Sequence, residues 1–357
     1  MKRRLLRLSV GTLVLLLTAV LIMFALPIQS WRTGQDDWRP LTVELDHPHL
    51  PRRVWIDTDA ACGEGRSRDP DDCLALLTLL NRPEVEVVGV STVFGNAPLQ
   101  TTDRVTRELI DQIAAAGGPK VSVFRGCGSA ISSCAKGEAA EAALRTALER
   151  GPLTVLALGP VTNIAAVLAS TPQLRDRLSV VAVMGRRPGH RFHPTEGRSS
   201  SAILFGHGPV FTDLNFVLDP DAATALVAGE VRLTLIPYEA ARDVLLTERD
   251  LNRIASKDAS GAWVAARSRE WLYLWQQAIG LSGFYPFDLV AAMYLTSPQR
   301  FACARVNEWV GRDPRRTIFE RSPALLVSQQ TPLDSGDNSA SATYCFDVDA
   351  SIEDVLQ

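Results

Sequence analysis

The chain has 357 residues, of which 37 are basic and 40 acidic, and its formal net charge is −3. A chain without a positive excess lacks the electrostatic field that gathers phosphate backbones, which excludes nucleic acid as an expected partner. About 300 residues follow the N-terminal segment, a length that suits one large α/β domain. The sequence contains no repeat or low-complexity block typical of a solenoid or a disordered chain.

The first 30 residues differ in composition from the rest. Four basic side chains within residues 2–7 precede an uncharged, mostly apolar run from Leu8 to Ile28. The run has the length of a membrane-spanning helix, and its basic flank favours the cytoplasmic side. The alternative is a cleaved signal peptide, whose apolar stretch is usually about 7 to 15 residues and ends at a small-x-small site. Because this run ends in FALPIQSW, we expect an anchor with the remaining chain on the extracytoplasmic (periplasmic or extracellular) side. Cleavage would instead give a secreted protein.

Residues 31–53 carry proline, glycine and mixed charge without periodicity. We interpret 1–30 as a transmembrane anchor or signal segment, 31–53 as a linker and 54–357 as the folded domain. Within the domain, continuous apolar runs alternate with amphipathic patterns, which predicts a mostly parallel central sheet flanked by helices, a Rossmann-like open sheet. The apolar runs lie at 54–59, 85–95, 120–126, 153–159, 178–185 and 231–237. The helical patterns lie at 71–80, 101–116, 141–150 and 161–170.

The six cysteines are expected to pair if the domain is exported, because an oxidising compartment permits disulfides. The alternative is that some are buried thiols. No Cys/His cluster has the spacing of a zinc site. The candidate pairs are Cys62 with Cys73, Cys127 with Cys134 and, by default, Cys303 with Cys345.

Polar side chains follow the ends of several predicted strands. In open parallel sheets, ligands bind beyond the carboxyl ends of the strands, where separate loops meet at one edge. We therefore expect the site at this edge. The residues that reach it are Asp57 and Asp59 after the first strand, Asn96 after the second, Thr162 and Asn163 after the fourth, and Gly185 after the fifth.

The densest acidic cluster of the chain consists of Asp57, Asp59, Asp69, Asp71 and Asp72. Carboxylates gathered at one strand edge repel each other unless a cation is present. Oxygen ligands without Cys or His partners favour a hard ion, with calcium preferred over magnesium if backbone carbonyls also participate. Alternatively, the last three aspartates cap a helix and favour its dipole. Helix capping leaves the two aspartates at the strand end unexplained.

Several segments resemble motifs of the nucleoside hydrolase family, of the inosine/uridine-preferring type. WIDTD with DPDDCLALL resembles the N-terminal motif DTDPGxDDAxAL, and VVGVSTVFGN resembles a second strand ending in GN. LTVLALGPVTNIAAVL is similar to the GPLTNLA segment. VVAVMG and TDLNFVLDPDAA are similar to the MG turn and the EFNxxxDPEAA stretch. YPFDLVAAMYLTSP is similar to HDPLAxAxxxxP. The matches follow family order, and the final strand-like ATYCFDVD is the weakest.

The resemblance implies a divergent member of the family that hydrolyses the N-glycosidic bond of a ribonucleoside to ribose and free base in a Ca²⁺-dependent reaction, and the N-terminal segment predicts that this enzyme is membrane-anchored. It implies a nucleoside substrate and a possible homo-oligomer. The implied calcium ligands are Asp59, Asp72, Asp288 and the backbone carbonyl of Thr162. The implied roles of the other site residues are these: Asp59 is the catalytic base that activates water, Asp71, Asn96 and Asn215 bind ribose hydroxyls, with Asn96 also counted as catalytic, and Asp213 lies near the 5′ hydroxyl. Phe287 lies beside the proposed metal ligand Asp288, so it either packs on the base or belongs to the core.

The sequence departs from the family pattern at four places. Ten residues, 60–69, separate Asp59 from Pro70 where the family has a tight turn. Arg186 follows the MG turn, where the family has a second glycine. A segment rich in Arg, Gly, Ser and His, 186–210, replaces a stretch that supplies a further ribose-binding Asn, and Phe287 replaces a His.

Two sets of side chains have open interpretations. A leaving-group acid could come from the loop histidines, or these could simply be exposed; they are His190, His193 and His207. An aromatic stripe at helical spacing is typical of a core but could also stack on a base; it consists of Trp263, Trp271 and Trp275.

Two other functions remain open from the sequence. One is a non-catalytic ribose- or nucleoside-binding protein that has kept the calcium site, as the missing His and the extra loop would allow. The other is a hydrolase of a modified ribosyl compound, which the arginine-rich segment suggests.

Overall fold

The computed structural model describes residues 52–65, 68–134, 138–192, 194, 211–315, 322–330 and 340–349, and five positions between 11 and 18. Most of the predicted anchor lies outside these residues, as do His193 and His207. Across the described ranges, no helix combines the length and the apolar character that a membrane span requires.

The predicted mostly parallel sheet is confirmed. The described strands are β1 (Arg53–Thr58), β2 (Glu86–Thr92), β3 (Val123–Arg125), β4 (Leu153–Ala157), β5 (Leu178–Ala182), β6 (Arg232–Leu235), β7 (Leu246–Thr247), β8 (Gly283–Phe284), β9 (Phe301–Gly311), β10 (Ala324–Ser328) and β11 (Ala340–Val348). Nine of these described strands form one sheet in the order β10-β9-β11-β6-β5-β4-β1-β2-β3, and β7 pairs with β8. All neighbours from β3 to β11 run parallel, whereas β9 is antiparallel to both β10 and β11.

Helices cover both faces of the sheet. The described helices are α1 (Asp71–Leu80), α2 (Leu99–Ala115), α3 (Ala139–Glu149), α4 (Thr162–Ser170), α5 (Leu214–Leu218), α6 (Pro220–Ala228), α7 (Tyr238–Ala241), α8 (Glu248–Ala255), α9 (Ala259–Leu274) and α10 (Phe287–Thr296). One apolar core contains residues of α1, α2, α8, α9 and α10, and the other contains residues of α3, α4 and α6. Val54 and Ile56 of β1 lie in the first core and Trp55 lies in the second. Successive side chains of the strand thus alternate between the two layers.

The three expected disulfides are all present. Cys62 pairs with Cys73 and Cys127 with Cys134, each closing a short loop. Cys303 of β9 pairs with Cys345 of β11, its direct neighbour across the antiparallel pair. None of the six cysteines is free.

The antiparallel part of the sheet was not predicted, apart from its last strand. All of ATYCFDVD except its last residue, Asp349, lies within β11, which runs parallel to β6 and thereby extends the sheet. β9 then joins β11 to the edge strand β10. The Gly185 turn leads to Arg186, whose N–H donates to the Leu325 carbonyl of β10. The carboxyl end of β5 is thus tied to the edge strand β10.

Candidate active site

Asp57 and Asp59 lie at the carboxyl end of strand β1, Asp57 beneath the end of the sheet and Asp59 directly after the strand. Asp57 is fully buried, and its Oδ1 accepts hydrogen bonds from the Ser91 hydroxyl and from Asn163 Nδ2, the latter at 2.7 Å. Burial raises the pKa of the Asp57 carboxyl to about 7. Asp57 therefore ties β1 to β2 and to the start of α4 from beneath the edge of the sheet, as a supporting residue does.

Asp59 lies at the edge itself, held by the backbone around it. Its Oδ2 accepts the Asn96 N–H at 2.8 Å. A Cβ atom at position 159 would lie 3.0 Å from its Cγ, and one at position 95 would overlap its Oδ2. Only glycine at 95 and 159 lets the loops after β2 and β4 approach the carboxyl this closely.

The first turn of α1 presents two more carboxyls to the same place. Asp72 Oδ1 accepts the Thr58 hydroxyl and, at 3.1 Å, the Asp59 N–H, which joins α1 to the end of β1. Asp71 Oδ2 accepts the N–H of Asp288 at 3.0 Å, which joins α1 to the start of α10. The first turns of helices α1 and α10 thereby meet at the carboxyl end of β1.

These carboxyls form one buried cluster. Oxygens of Asp71, Asp72 and Asp288 lie within 4.8 Å of one another, and the Asp59 carboxyl contacts that of Asp72. Burial, and then the negative charge of the neighbouring carboxyls, holds the pKa values of Asp59 and Asp288 well above the usual range. The same two causes raise the pKa of Asp71 to about 6.

The cluster fits a hard divalent cation. Within the described ranges, no Lys, Arg or His forms an ion pair with Asp59, Asp71, Asp72 or Asp288. Buried carboxylates of one sign need a compensating charge, and a donor set made only of oxygen suits calcium or magnesium. The arrangement brings together three predicted ligands, Asp59, Asp72 and Asp288, and adds Asp71 to them.

Thr162, the fourth predicted ligand, begins α4. Its hydroxyl donates to Asp219 Oδ2 at 2.6 Å, and Asp219 Oδ1 accepts the Ala222 N–H at the start of α6.

Another backbone carbonyl lies at the carboxyl end of the strands, on Leu158 directly after β4. It accepts a hydrogen bond from Asn215 Nδ2 at 2.8 Å, and the next residue, Gly159, abuts Asp59. The sequence carries no signal for this carbonyl, since every residue has one.

The residues predicted to bind ribose lie around the cluster with much of their hydrogen-bonding capacity in use. Asn96 pairs its side-chain amide with the backbone of Asp69, donating to its carbonyl at 2.8 Å and accepting its N–H at 3.3 Å. Asn215 Nδ2 donates to the carbonyls of Leu158 and Val183. With both amide hydrogens engaged, Asn215 can offer a hydroxyl only its Oδ1.

Asp213 caps helix α5. Its Oδ1 accepts the Phe216 N–H at 3.1 Å, and its Oδ2 accepts the Gly185 N–H at 2.7 Å. Burial raises the pKa of this carboxyl. Asp213 therefore fixes the turn after β5 against α5, at the position expected to face the 5′ hydroxyl.

Residues 54–351 match the sequence model of the family described as inosine-uridine preferring nucleoside hydrolase. The chain belongs to this family. The pyrimidine-specific ribonucleoside hydrolase RihA of Shewanella baltica is 24% identical over 319 residues, which cover 88% of this chain and 89% of that protein. The non-specific ribonucleoside hydrolase RihC of Shigella boydii is 24% identical over 277 residues, covering 71% and 81% of the two chains.

Solved structures share the fold. A plant nucleoside hydrolase, PpNRh1, superposes with a TM-score of 0.66 at 18% identity, covering 86% of this chain and 96% of that one. A purine-preferring ribonucleoside hydrolase from Gardnerella vaginalis gives a TM-score of 0.63 at 21% identity, covering 85% and 96%. The predicted fold and the predicted enzyme class, an N-glycosyl hydrolase, are confirmed.

In this member of the nucleoside hydrolase family, aromatic side chains adjoin the carboxyl cluster. Phe287 precedes Asp288, and its ring centroid lies 5.1 Å from that of Phe192 and 6.0 Å from that of Tyr285. Phe192 also contacts Trp275, which is buried. The tryptophan stripe divides accordingly. Trp271 and Trp275 belong to the apolar core, whereas Trp263 packs only against its edge and stacks under the Arg267 guanidinium at 3.7 Å.

Two arginines in the described part of the arginine-rich segment form buried ion pairs with acidic residues outside the segment. Arg186 pairs with Asp313 and Arg187 with Glu239, all four side chains being almost completely buried. His190 lies among them, and its pKa is lowered to about 3 by burial and by the charge of Arg187. The imidazole is therefore neutral at physiological pH, which makes it a poor acid for a leaving group.

Proposed function

We propose that the protein is a calcium-dependent hydrolase of the N-glycosidic bond of ribonucleosides and releases ribose and a free base. The observation that carries this proposal is the buried cluster of Asp59, Asp71, Asp72 and Asp288, which three separate segments bring together without a basic partner among the described residues. Such a cluster is costly to bury unless it holds a cation.

Calcium is the cation that suits the donor set. Carboxylates and backbone carbonyls are its preferred ligands, and it tolerates the irregular geometry that several loops supply. Asp59, Asp72 and Asp288 would hold the ion, with a backbone carbonyl from Thr162 or Leu158. When bound, calcium would hold the ribose 2′ and 3′ hydroxyls and the reacting water in place.

Asp59 supplies the base. Its carboxylate takes a proton from water as the water oxygen attacks C1′ of the ribose. The C1′–N bond breaks, and its electron pair leaves with the nucleobase. The ribose ring carries positive charge at this point, as in glycoside cleavage, and the surrounding carboxylates stabilise it. Asp71, Asn96 and Asn215 hold ribose hydroxyls, and Asp213 lies near the 5′ end.

The nucleobase packs on Phe287 at the margin of the aromatic cluster. A phenyl ring offers a stacking surface but no proton. Because His190 is neutral and buried in an ion-pair network, we assign it no acid role. The departing base takes its proton from solvent.

The test is to incubate the purified full-length protein with a panel of ribonucleosides, with and without a calcium chelator, and to measure free ribose. We expect ribose release that the chelator abolishes and added calcium restores. Asp59→Asn is the matched variant, which should bind nucleoside but release no ribose. Nucleoside binding by the wild type without any ribose release would favour the non-catalytic binding protein instead.

We also propose that the domain lies outside the cytoplasmic membrane, held by residues 1–30. The basic flank before the apolar run supports this orientation, and so do three disulfides, which persist in oxidising compartments. Protease added to intact spheroplasts should digest the domain. Protection of the domain would contradict the orientation, and its release by washing would indicate cleavage of the segment.

A further inference from the structure

We propose that the Cys62–Cys73 disulfide is a positioning cross-link that holds Asp59 and Asp72 at the separation a bound cation requires. The inference rests on the proposed function, because it concerns the same carboxyl cluster. It assigns a role to the ten-residue insertion between Asp59 and Pro70, which is the largest departure from the family motif on this side of the site.

The cross-link spans the two segments that carry the carboxyls. Cys62 lies three residues after Asp59, and Cys73 directly follows Asp72. Both sulfur-bearing side chains are fully buried. The bond therefore joins the loop that follows β1 to the first turn of α1, three residues from Asp59 and one from Asp72 in the sequence.

The two segments share an apolar core, but the hydrogen bonds between them in the described residues all go to one carboxyl. Asp72 Oδ1 accepts the Thr58 hydroxyl and the Asp59 N–H, and both bonds involve a carboxylate that a cation also needs. The described part of the insertion has no helix or strand and includes Gly63 and Gly65, both at positive φ. A chain of this kind does not itself fix the distance between its ends.

Electrostatic repulsion makes a fixed distance necessary. Carboxyls of the cluster that ionise while no cation is bound repel one another, since like charges in a buried site are weakly screened, and this repulsion favours separation of the start of α1 from β1. The disulfide resists this separation by a covalent bond. The site is thereby kept assembled before the cation binds, so less binding free energy is lost in organising it.

The other contacts of the insertion fix the distance between β1 and α1 less firmly than the disulfide does. Glu64 pairs with Arg104 of α2 at 2.6 Å, but both side chains are partly exposed, and exposed ion pairs contribute little. The Asp69 backbone pairs with the Asn96 amide, which orients Asn96 but does not join β1 to α1. The Cys62–Cys73 bond is the covalent cross-link between the two carboxyl-bearing segments.

The chain offers a matched control in Cys303–Cys345. These cysteines are also fully buried, and they lie on β9 and β11. β11 is four strands from β1 in the sheet order, or roughly 19 Å at the usual strand spacing. The sequence separation is 42 residues for this pair and 11 for Cys62–Cys73. Loop-closure entropy therefore predicts that the control disulfide contributes more to global stability.

The experiment compares Cys62→Ala/Cys73→Ala with Cys303→Ala/Cys345→Ala in the full-length protein. Calcium dissociation constants are measured by isothermal titration calorimetry, and unfolding temperatures and the KM and kcat for ribose release are measured alongside. We expect the first variant to bind calcium roughly 10- to 100-fold more weakly, the range found when support around a metal site is lost. Its kcat should recover at saturating calcium. The control should lose more thermal stability and keep the wild-type calcium affinity.

Measuring calcium binding by the wild type distinguishes failure of the proposed function from failure of the positioning role. Wild-type protein that binds no calcium overturns the proposed function. Wild-type protein that binds calcium, together with a Cys62→Ala/Cys73→Ala variant of equal affinity, overturns only the positioning role. Equal weakening in both variants also overturns it, since that result indicates general destabilisation.

If the first variant does not fold, reduced wild-type protein replaces it. Dithiothreitol transfers two electrons and two protons to the Cys62–Cys73 bond, giving two thiols, and is itself oxidised to its cyclic disulfide. Alkylation and mass spectrometry identify the fraction reduced at this bond. Calcium affinity that falls in proportion to that fraction supports the positioning role, and affinity that is independent of it refutes the role.

Discussion

A buried carboxyl away from the site makes the stability of the protein depend on pH. Glu308 of β9 is 1% exposed and lies between Val327 of β10 and Ala340 of β11. Its Oε2 accepts no hydrogen bond within the described ranges. Burial raises the pKa of Glu308 from 4.5 to about 7. The folded protein therefore holds this proton at pH values where the unfolded chain has lost it.

The sign and size of the effect follow from this shift. Below pH 4.5 both states are protonated and Glu308 causes no loss of stability. As the pH rises from 4.5 to 7, the unfolded state ionises first, so the free energy of unfolding falls, by about 3 kcal/mol in total. Between pH 5 and pH 8 the expected fall is about 2.5 kcal/mol. Glu308→Gln has no titrating group and should not show it.

The assay is urea unfolding of wild type and Glu308→Gln at pH 5 and pH 8, both with a calcium chelator. The carboxyl cluster also titrates in this range, but equally in both proteins, so the difference between them isolates Glu308. We expect the variant to gain about 2.5 kcal/mol relative to wild type from pH 5 to pH 8. Glu270→Gln, on the exposed face of α9, serves as the control. Parallel pH curves for wild type and Glu308→Gln would mean that Glu308 does not hold its proton in the folded protein at these pH values.

Two further predictions concern the active site. Without a protein acid, cleavage depends on the acidity of the leaving group, and positioned acids contribute roughly a hundred- to ten-thousandfold. A nitrophenyl riboside should therefore react much faster than uridine, with purine nucleosides between them if stacking on Phe287 helps. Equal rates with bond cleavage rate-limiting would reveal an acid, and loss of uridine cleavage alone on replacing His190, His193 or His207 would identify it. Gly159→Ala places a methyl group 3.0 Å from Asp59 Cγ and 2.9 Å from Val93 Cγ1, so we expect kcat to fall at least about tenfold. An unchanged kcat in steady-state assays would contradict this close packing.

The parallel half of the sheet could be predicted because its strands are short, continuous apolar runs. Helices cover such strands on both faces, so nearly all of their residues are apolar. The antiparallel strands were missed for a physical reason. β9 mixes Arg305 and Glu308 with apolar residues, and its pairing with β11 joins positions about 40 residues apart, as the Cys303–Cys345 separation of 42 shows. Local periodicity holds no information on such a pairing.

The site could be predicted as far as its side chains carry chemistry. The aspartates at the end of β1 and the start of α1 were recognisable, since carboxylates directly after an apolar strand are unusual. The capping role of Asp213 could have been found from the helix start signal that Asp gives before an apolar segment. The position of the Leu158 carbonyl could not, because where a backbone carbonyl lies depends on where the chain turns.

The neutral state of His190 could not be predicted from the sequence. His190 is neutral because it is buried among arginine side chains. These come from 186–191 and from the segment that follows β9, and the sequence gives no indication that the two segments meet.

A crystal structure of the full-length protein grown with calcium would show whether calcium occupies the carboxyl cluster. Anomalous density between Asp59, Asp72 and Asp288, with Ca–O distances of about 2.3 to 2.6 Å, is the predicted result. Density lost in Asp72→Asn crystals would assign the ligand. Wild-type crystals that show no ion at saturating calcium, with the carboxyls held apart, would mean that the cluster is not a calcium site.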